Sequence, residues 1–131
     1  MSNYKISKSE AEWRQQLDDD SYRILRQKGT EMPHTGIYNL HFENGEYRCK
    51  GCGTPLFTSD QKFESHCGWP SFDDAKEGAI EYIQDHSHGM NRTEILCSNC
   101  GGHLGHVFND GPTETGLRYC VNSASLNFEE K

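Results

Sequence analysis

Long hydrophobic runs are missing from this chain of 131 residues, whose mean hydropathy is −0.89. A membrane-spanning helix needs about 20 consecutive apolar residues, so none is expected. Basic residues are also in short supply, with 13 Lys and Arg against 20 Asp and Glu and a formal net charge of −7. An acidic surface without a basic stripe argues against nucleic acid or an anionic membrane as partner. The opening stretch MSNYKISKSEAEW has no apolar segment of signal-peptide type, and the expectation is a cytoplasmic protein. Hydrophobic residues make up only 33%. A core that thin gains from a staple, whether metal or disulfide. What the chain does contain is 6 cysteines. Without an export signal they point to metal or redox chemistry rather than to a disulfide scaffold.

The first thirty residues read differently from the rest. Ser7 stands three before Glu10, the spacing of a capping box. Trp13 and Leu17 lie four apart, with Ala11 near their face, and predict a short amphipathic helix. A second short helix is expected through Tyr22, Ile24 and Leu25, with Gly29 as its C-terminal stop. From Thr30 onward short apolar alternations are broken by Gly, Asn-Gly and Asp-Gly. Asn44-Gly45 sits between Asn39-Leu40-His41-Phe42 and Glu46-Tyr47-Arg48-Cys49, the signature of a hairpin. Residues 80–83, 93–96 and 104–108 read as further strands, the last closed by Asp110-Gly111-Pro112. Repeats and linkers are absent. The reading is one antiparallel β domain over 1–131 with a helical appendage at 1–29.

Cys49-Lys-Gly-Cys52 and Cys97-Ser-Asn-Cys100 are two CxxC pairs, each followed by glycine. In a zinc knuckle the tight turn aims two sulfurs at one ion, and two knuckles complete a tetrahedral Cys₄ site. The alternatives are two disulfides, or one pair used for redox exchange. Matched knuckles without an export signal favour one zinc ion, structural because a closed Cys₄ site has no open position. The 44 residues between the pairs must form a folded insertion.

Cys67 and Cys120 remain. Around Cys120, Leu117, Tyr119 and Val121 alternate with Arg118, Cys120 and Asn122, so a strand places the cysteine beside a guanidinium that favours thiolate. The alternative is an inert, buried cysteine. Leu126 and Phe128 share the parity of Cys120, which predicts a bulge or bend between Asn122 and Ser125. Cys67 lies in a Gly- and Pro-flanked loop with Trp69, a ring that serves either as a core anchor or as a binding wall. His103 and His106, three apart, fit acid–base work better than metal ligation, since zinc already has four sulfurs. His86 and His88 receive no role.

Taken together, Cys67-Gly-Trp-Pro-Ser-Phe72, Ser87-His-Gly-Met90, His103-Leu-Gly-His-Val-Phe108, Asp110-Gly-Pro112 and Arg118-Tyr-Cys-Val-Asn-Ser-Ala-Ser-Leu126 resemble the B-type peptide methionine sulfoxide reductases. The CxxC pairs match the zinc-containing branch of that family, and Gly29-Thr-Glu31 with Thr35-Gly36 extend the resemblance over nearly the whole chain. It implies two antiparallel sheets in a distorted barrel or sandwich with short N-terminal helices. It implies Cys120 as nucleophile, Cys67 as resolving cysteine, and Trp69 as the wall that accepts the substrate methyl. His103, His106 and Asn122 would line the sulfoxide-oxygen side, with His106 as proton donor and Arg118 as a supporting charge. The implied reaction reduces the R epimer of methionine sulfoxide in oxidised proteins and peptides, through a sulfenic acid and a Cys120–Cys67 disulfide. Thioredoxin is the implied reductant, and a monomer is expected.

The chain departs from the family twice. His66 stands before Cys67 where glycine is usual, and His34 follows Pro33 where phenylalanine is usual. Both put rate and recycling in doubt rather than activity. Two rival readings remain. A zinc-ribbon binding module would leave Cys67, Cys120 and the histidines idle. A general thiol–disulfide oxidoreductase would need a free CxxC near a βαβ unit, which the β pattern does not offer.

Overall fold

The computed structural model describes residues 6, 8–39, 41–65, 67–86 and 89–130. Helix α1 (Glu10–Gln16) begins at Ser9, whose hydroxyl accepts from the Glu12 N–H while the Glu12 carboxylate accepts from the Ser9 N–H. The capping box therefore sits two residues beyond the Ser7–Glu10 spacing, and Ser7 lies outside the described residues. Helix α2 (Asp19–Gln27) is capped by Asp18 and buries Tyr22, Ile24 and Leu25. Its stop is Lys28 rather than Gly29: Lys28 takes the left-handed φ of 58°, and the Gly29 N–H closes onto the Arg23 carbonyl at 2.9 Å.

The strands are β1 (Gly45–Cys49), β2 (Pro55–Thr58), β3 (Lys62–Phe63), β4 (Ser71–Phe72), β5 (Ile80–Asp85), β6 (Arg92–Cys97), β7 (His103–Phe108), β8 (Arg118–Val121) and β9 (Leu126–Glu130). They form two antiparallel sheets, ordered β2-β1-β9 and β3-β4-β8-β7-β6-β5. The strands expected at 80–83, 93–96 and 104–108 are the middles of β5, β6 and β7. The hairpin expected across Asn44-Gly45 does not form. Both edges of β1 are taken, one by β2 and one by β9, so the segment before it has no ladder to join. That segment is held by side chains instead. Lys62 Nζ donates to the carbonyls of Asn39 and His41 at 3.1 and 2.9 Å, and the Tyr47 hydroxyl donates to the His41 carbonyl at 3.0 Å.

The sheets meet across an aromatic layer. Phe57 of β2 stacks on Phe72 of β4 at 4.2 Å, with Tyr47 edge-on to Phe72 at 5.1 Å and Phe57 edge-on to Tyr119 at 5.8 Å. All four rings are buried. Such pairs add about 0.5–1.5 kcal/mol each beyond burial, which offsets the low hydrophobic content. A 3-10 turn at Ser123–Ser125 carries the chain from the larger sheet to the smaller one, and supplies the parity change expected before Leu126. No helix among the described residues is long and apolar enough to cross a membrane.

Candidate active site and metal centre

The two CxxC turns converge. Their four sulfurs, from Cys49, Cys52, Cys97 and Cys100, lie within 4.8 Å of one another, with Cys49 to Cys100 at 3.7 Å and Cys52 to Cys97 at 3.5 Å. A tetrahedral ion with Zn–S bonds of about 2.3 Å requires sulfurs roughly 3.8 Å apart, so the cluster has the size of a zinc site. The knuckles are built alike. Gly53 and Gly101 both take left-handed φ, at 79° and 77°, and their N–H groups close onto Cys49 and Cys97 carbonyls at 2.8 and 2.7 Å. All six cysteines are free thiols, and the short sulfur contacts run between the knuckles. That arrangement suits a shared ion better than a redox pair within either turn.

Cys67 and Cys120 form a second sulfur pair, 3.2 Å apart. Cys120 comes from β8 and faces away from the core, because its neighbours Tyr119 and Val121 turn inward. Arg118, two residues earlier on the same face, donates to the Cys120 sulfur at 2.7 Å. Its other nitrogens donate to Asp110 at 2.8 and 3.0 Å, which holds the guanidinium protonated and aimed. Cys67 has hydroxyls around it: Ser65 Oγ donates to its sulfur at 3.0 Å and Ser71 Oγ lies at 3.3 Å. The hydrogen bond from Cys120 draws the Cys67 thiol down to about 4, with the serines assisting and burial opposing. The same bond, together with burial, pushes Cys120 up, and Arg118 works against that rise. The charge thus belongs to the pair, one proton being shared between two sulfurs, rather than to Cys120 alone.

A row of side chains crosses the outer face of the larger sheet. Register places Ser71 opposite Cys120, Cys120 opposite His106, and His106 opposite Glu94. His103 joins them through an irregularity. The β6–β7 register skips Leu104, a bulge that brings two histidines of odd spacing onto one face, with ring centres 5.7 Å apart. Each ring has a carboxylate partner: His103 Nδ1 lies 2.7 Å from Glu94, and His106 Nε2 donates to Asp85 at 2.8 Å. Burial lowers the His106 pKa despite Asp85. The imidazole is therefore neutral near pH 7, with Nδ1 carrying a lone pair. A cavity of about 290 Å³ opens beside the two rings, lined also by Lys28, Thr30 and Arg92.

Trp69 is half-buried, and its indole N–H donates to the Glu31 carbonyl at 3.1 Å. Asn122 sits behind that contact. Its carboxamide is buried, accepting from the Glu31 N–H and donating to the Leu104 carbonyl, both at 3.0 Å. It is therefore engaged in holding the 31–36 segment under Trp69, rather than presented to the cysteines. His34 adopts a left-handed φ of 69°, and its N–H donates to the Gly68 carbonyl at 2.7 Å. His66, His88 and Ser87 lie outside the described residues.

A model of the SelR domain matches residues 17–130. The chain is 58% identical over 130 residues to the peptide methionine sulfoxide reductase MsrB of Leptospira interrogans, covering 98% of this chain and 99% of that protein. It is 61% identical over 126 residues to the MsrB of Hahella chejuensis, covering 95% and 90% of the two chains. A probable methionine-R-sulfoxide reductase B of Caenorhabditis elegans is 50% identical and covers the whole of this chain and 91% of its own. The chain belongs to the SelR family, the B-type methionine sulfoxide reductases. Its activity is the reduction of methionine sulfoxide, an oxidoreductase reaction. Among solved structures, the SelR fold is shared with the Mis18 "Yippee-like" domain at a TM-score of 0.53 and 19% identity, over 68% of this chain and 98% of that one.

Several residues of this SelR site escape a reading of the sequence. Ser65 and Ser71 touch the Cys67–Cys120 pair, Asp110 holds Arg118, and Asp85 and Glu94 hold the two histidines. For Glu94 a signal existed, a carboxylate set against the apolar pair Ile95-Leu96 in a strand. Nothing comparable marks the serines.

Proposed function

We propose that this reductase acts on the R epimer of methionine sulfoxide in oxidised proteins and peptides, with Cys120 as nucleophile and Cys67 as resolving thiol. The observation that carries the reading is the sulfur pair itself. A guanidinium sits on one member and hydroxyls on the other, and both cysteines are half-buried rather than closed into the core. A partly exposed pair of this kind can be reached by a side chain presented by a polypeptide.

Arg118 draws the shared charge onto Cys120, and Cys120 attacks the electrophilic sulfoxide sulfur. The substrate methyl rests on the Trp69 ring. Neutral His106, held by Asp85 at Nε2, offers Nδ1 to take a proton from solvent and deliver it to the sulfoxide oxygen as that oxygen gains charge, while Cys67 keeps the proton of the pair. His103 stands beside it on Glu94. Collapse frees methionine and leaves Cys120 as a sulfenic acid. Cys67 then condenses with it to a disulfide, for which the sulfurs need close only from 3.2 to about 2.05 Å. A dithiol of thioredoxin type restores the thiols by exchange. Zinc in the Cys49, Cys52, Cys97 and Cys100 cluster supplies structure and takes no part in the chemistry.

Single-turnover methionine release from reduced protein, without added thiol, tests the assignment. Cys120→Ser is expected to release none, because a hydroxyl is a far weaker nucleophile than a thiolate. Cys67→Ser is expected to release one equivalent and then stall as sulfenic acid. A full turnover from Cys120→Ser would overturn the mechanism. A chirally resolved sulfoxide peptide reads the epimer in the same experiment.

A further inference from the structure

Resting on the cysteine roles proposed above, we propose that Ser65 and Ser71 handle the proton of the resolving step, in which Cys67 closes the disulfide with oxidised Cys120. The division of polar groups between the two sulfurs suggests it. Arg118 spends one nitrogen on Cys120 and the others on Asp110, whereas Cys67 is bonded by hydroxyls. Ser65 Oγ donates to the Cys67 sulfur at 3.0 Å and accepts the Cys67 N–H at 3.4 Å. Ser71 Oγ stands between the sulfurs, 3.3 Å from Cys67 and 3.9 Å from Cys120, and 2.6 Å from Ser65 Oγ. Its place is fixed by the ladder, where Ser71 is the β4 residue opposite Cys120.

The chemistry of the step needs groups at those two places. The Cys67 sulfur gives an electron pair to the Cys120 sulfur, the S–O bond of the sulfenic acid breaks, and the oxygen leaves as hydroxide. The Cys67 proton and that hydroxide make one water, and the oxidising equivalents are those already taken from the sulfoxide. Ser71 is positioned to accept the Cys67 proton and pass its own hydrogen to the departing oxygen. Ser65 stabilises the sulfur anion as the proton leaves.

The test follows one turnover of reduced protein with a methionine sulfoxide peptide, quenched and alkylated at intervals. Methionine and the Cys67–Cys120 disulfide are measured separately. In Ser65→Ala and in Ser71→Ala the ratio of disulfide rate to methionine rate is expected to fall by about tenfold or more, the size of a lost hydrogen bond to a charged group. Sulfenic acid should accumulate. Ser65→Thr, which keeps the hydroxyl, should restore the ratio. Either folded alanine variant staying within tenfold of wild type overturns the proposal, and so does failure of threonine to restore. If the alanine variants do not fold, the wild type is measured in deuterated water, where a disulfide step that is not slowed overturns it. Absence of methionine from the wild-type protein would instead sink the reading on which the proposal rests.

Discussion

A guanidinium 2.7 Å from one sulfur of a close pair pulls the pair's charge toward that sulfur, against the hydroxyls that hold it on the other. Removing it should leave the negative charge with Cys67 and its hydroxyls. Arg118→Met is therefore expected to slow alkylation of Cys120 near neutral pH by tenfold or more, since each pKa unit is a factor of ten. The pH profile of that alkylation should move upward. Melting should change little, because the Arg118–Asp110 pair is largely exposed on the Asp110 side and such pairs contribute about 0–1 kcal/mol. Iodoacetamide kinetics across pH, beside a thermal melt, check both parts. The Arg118–Cys120 relation was legible in the sequence because strand alternation has a period of two. The sharing of charge with Cys67 was not, since 53 residues separate the partners. Asn122 shows the same limit. Alternation put it on the cysteine face, but β8 ends at Val121 and the 3-10 turn rotates it inward.

At the scale of elements, the site depends on how closely β7 and β8 approach. A Cβ at Gly105 would lie 1.9 Å from the Cys120 carbonyl oxygen, a contact the ladder cannot absorb without parting. Gly105→Ala should destabilise the fold by roughly 1–3 kcal/mol and should also displace Cys120 from His106. Calorimetry and turnover of the folded fraction should fall together, and a variant with normal turnover would show that the alignment tolerates movement. The segment before β1 makes a separate, pH-dependent prediction. Burial lowers the Lys62 pKa from 10.5 to about 8. Between those values the unfolded chain binds more protons than the folded one, so Lys62 makes stability rise with pH across that window. Lys62→Met should flatten the slope, as urea midpoints measured through the window would show. Strand existence was legible here from turn residues and alternation. Pairing was not: Asn44-Gly45 is a sound hairpin signal that lost because β9, from the far end of the chain, claimed the edge of β1.

For the molecule as a whole, the cysteine cluster ties one sheet to the other. Cys49 and Cys52 belong to the β1–β2 turn of the smaller sheet, and Cys97 and Cys100 to the β6–β7 turn of the larger. The N-terminal helices rest on that junction. Arg26 donates to the Cys100 carbonyl at 3.0 Å and lies over the Trp13 ring at 4.6 Å, while Gln16 donates to the Gly51 carbonyl. A Cβ on Gly102 would meet Leu25 at 2.7 Å, so α2 packs directly on the second knuckle. Zinc bound by four thiolates contributes about 10–16 kcal/mol to folding, against a typical net stability of about 5–15 kcal/mol. Loss of the ion should therefore unfold the chain rather than loosen one corner. Elemental analysis should find one zinc per chain, and native thiol titration should count the Cys67–Cys120 pair first, with the other four reacting only after chelator and denaturant. Cys97→Ser should lose metal, helicity and sulfoxide turnover together, although the sulfur it removes belongs to the other cluster. Sulfoxide turnover by a folded, metal-free Cys97→Ser protein would mean that the aromatic layer between the sheets suffices without the ion.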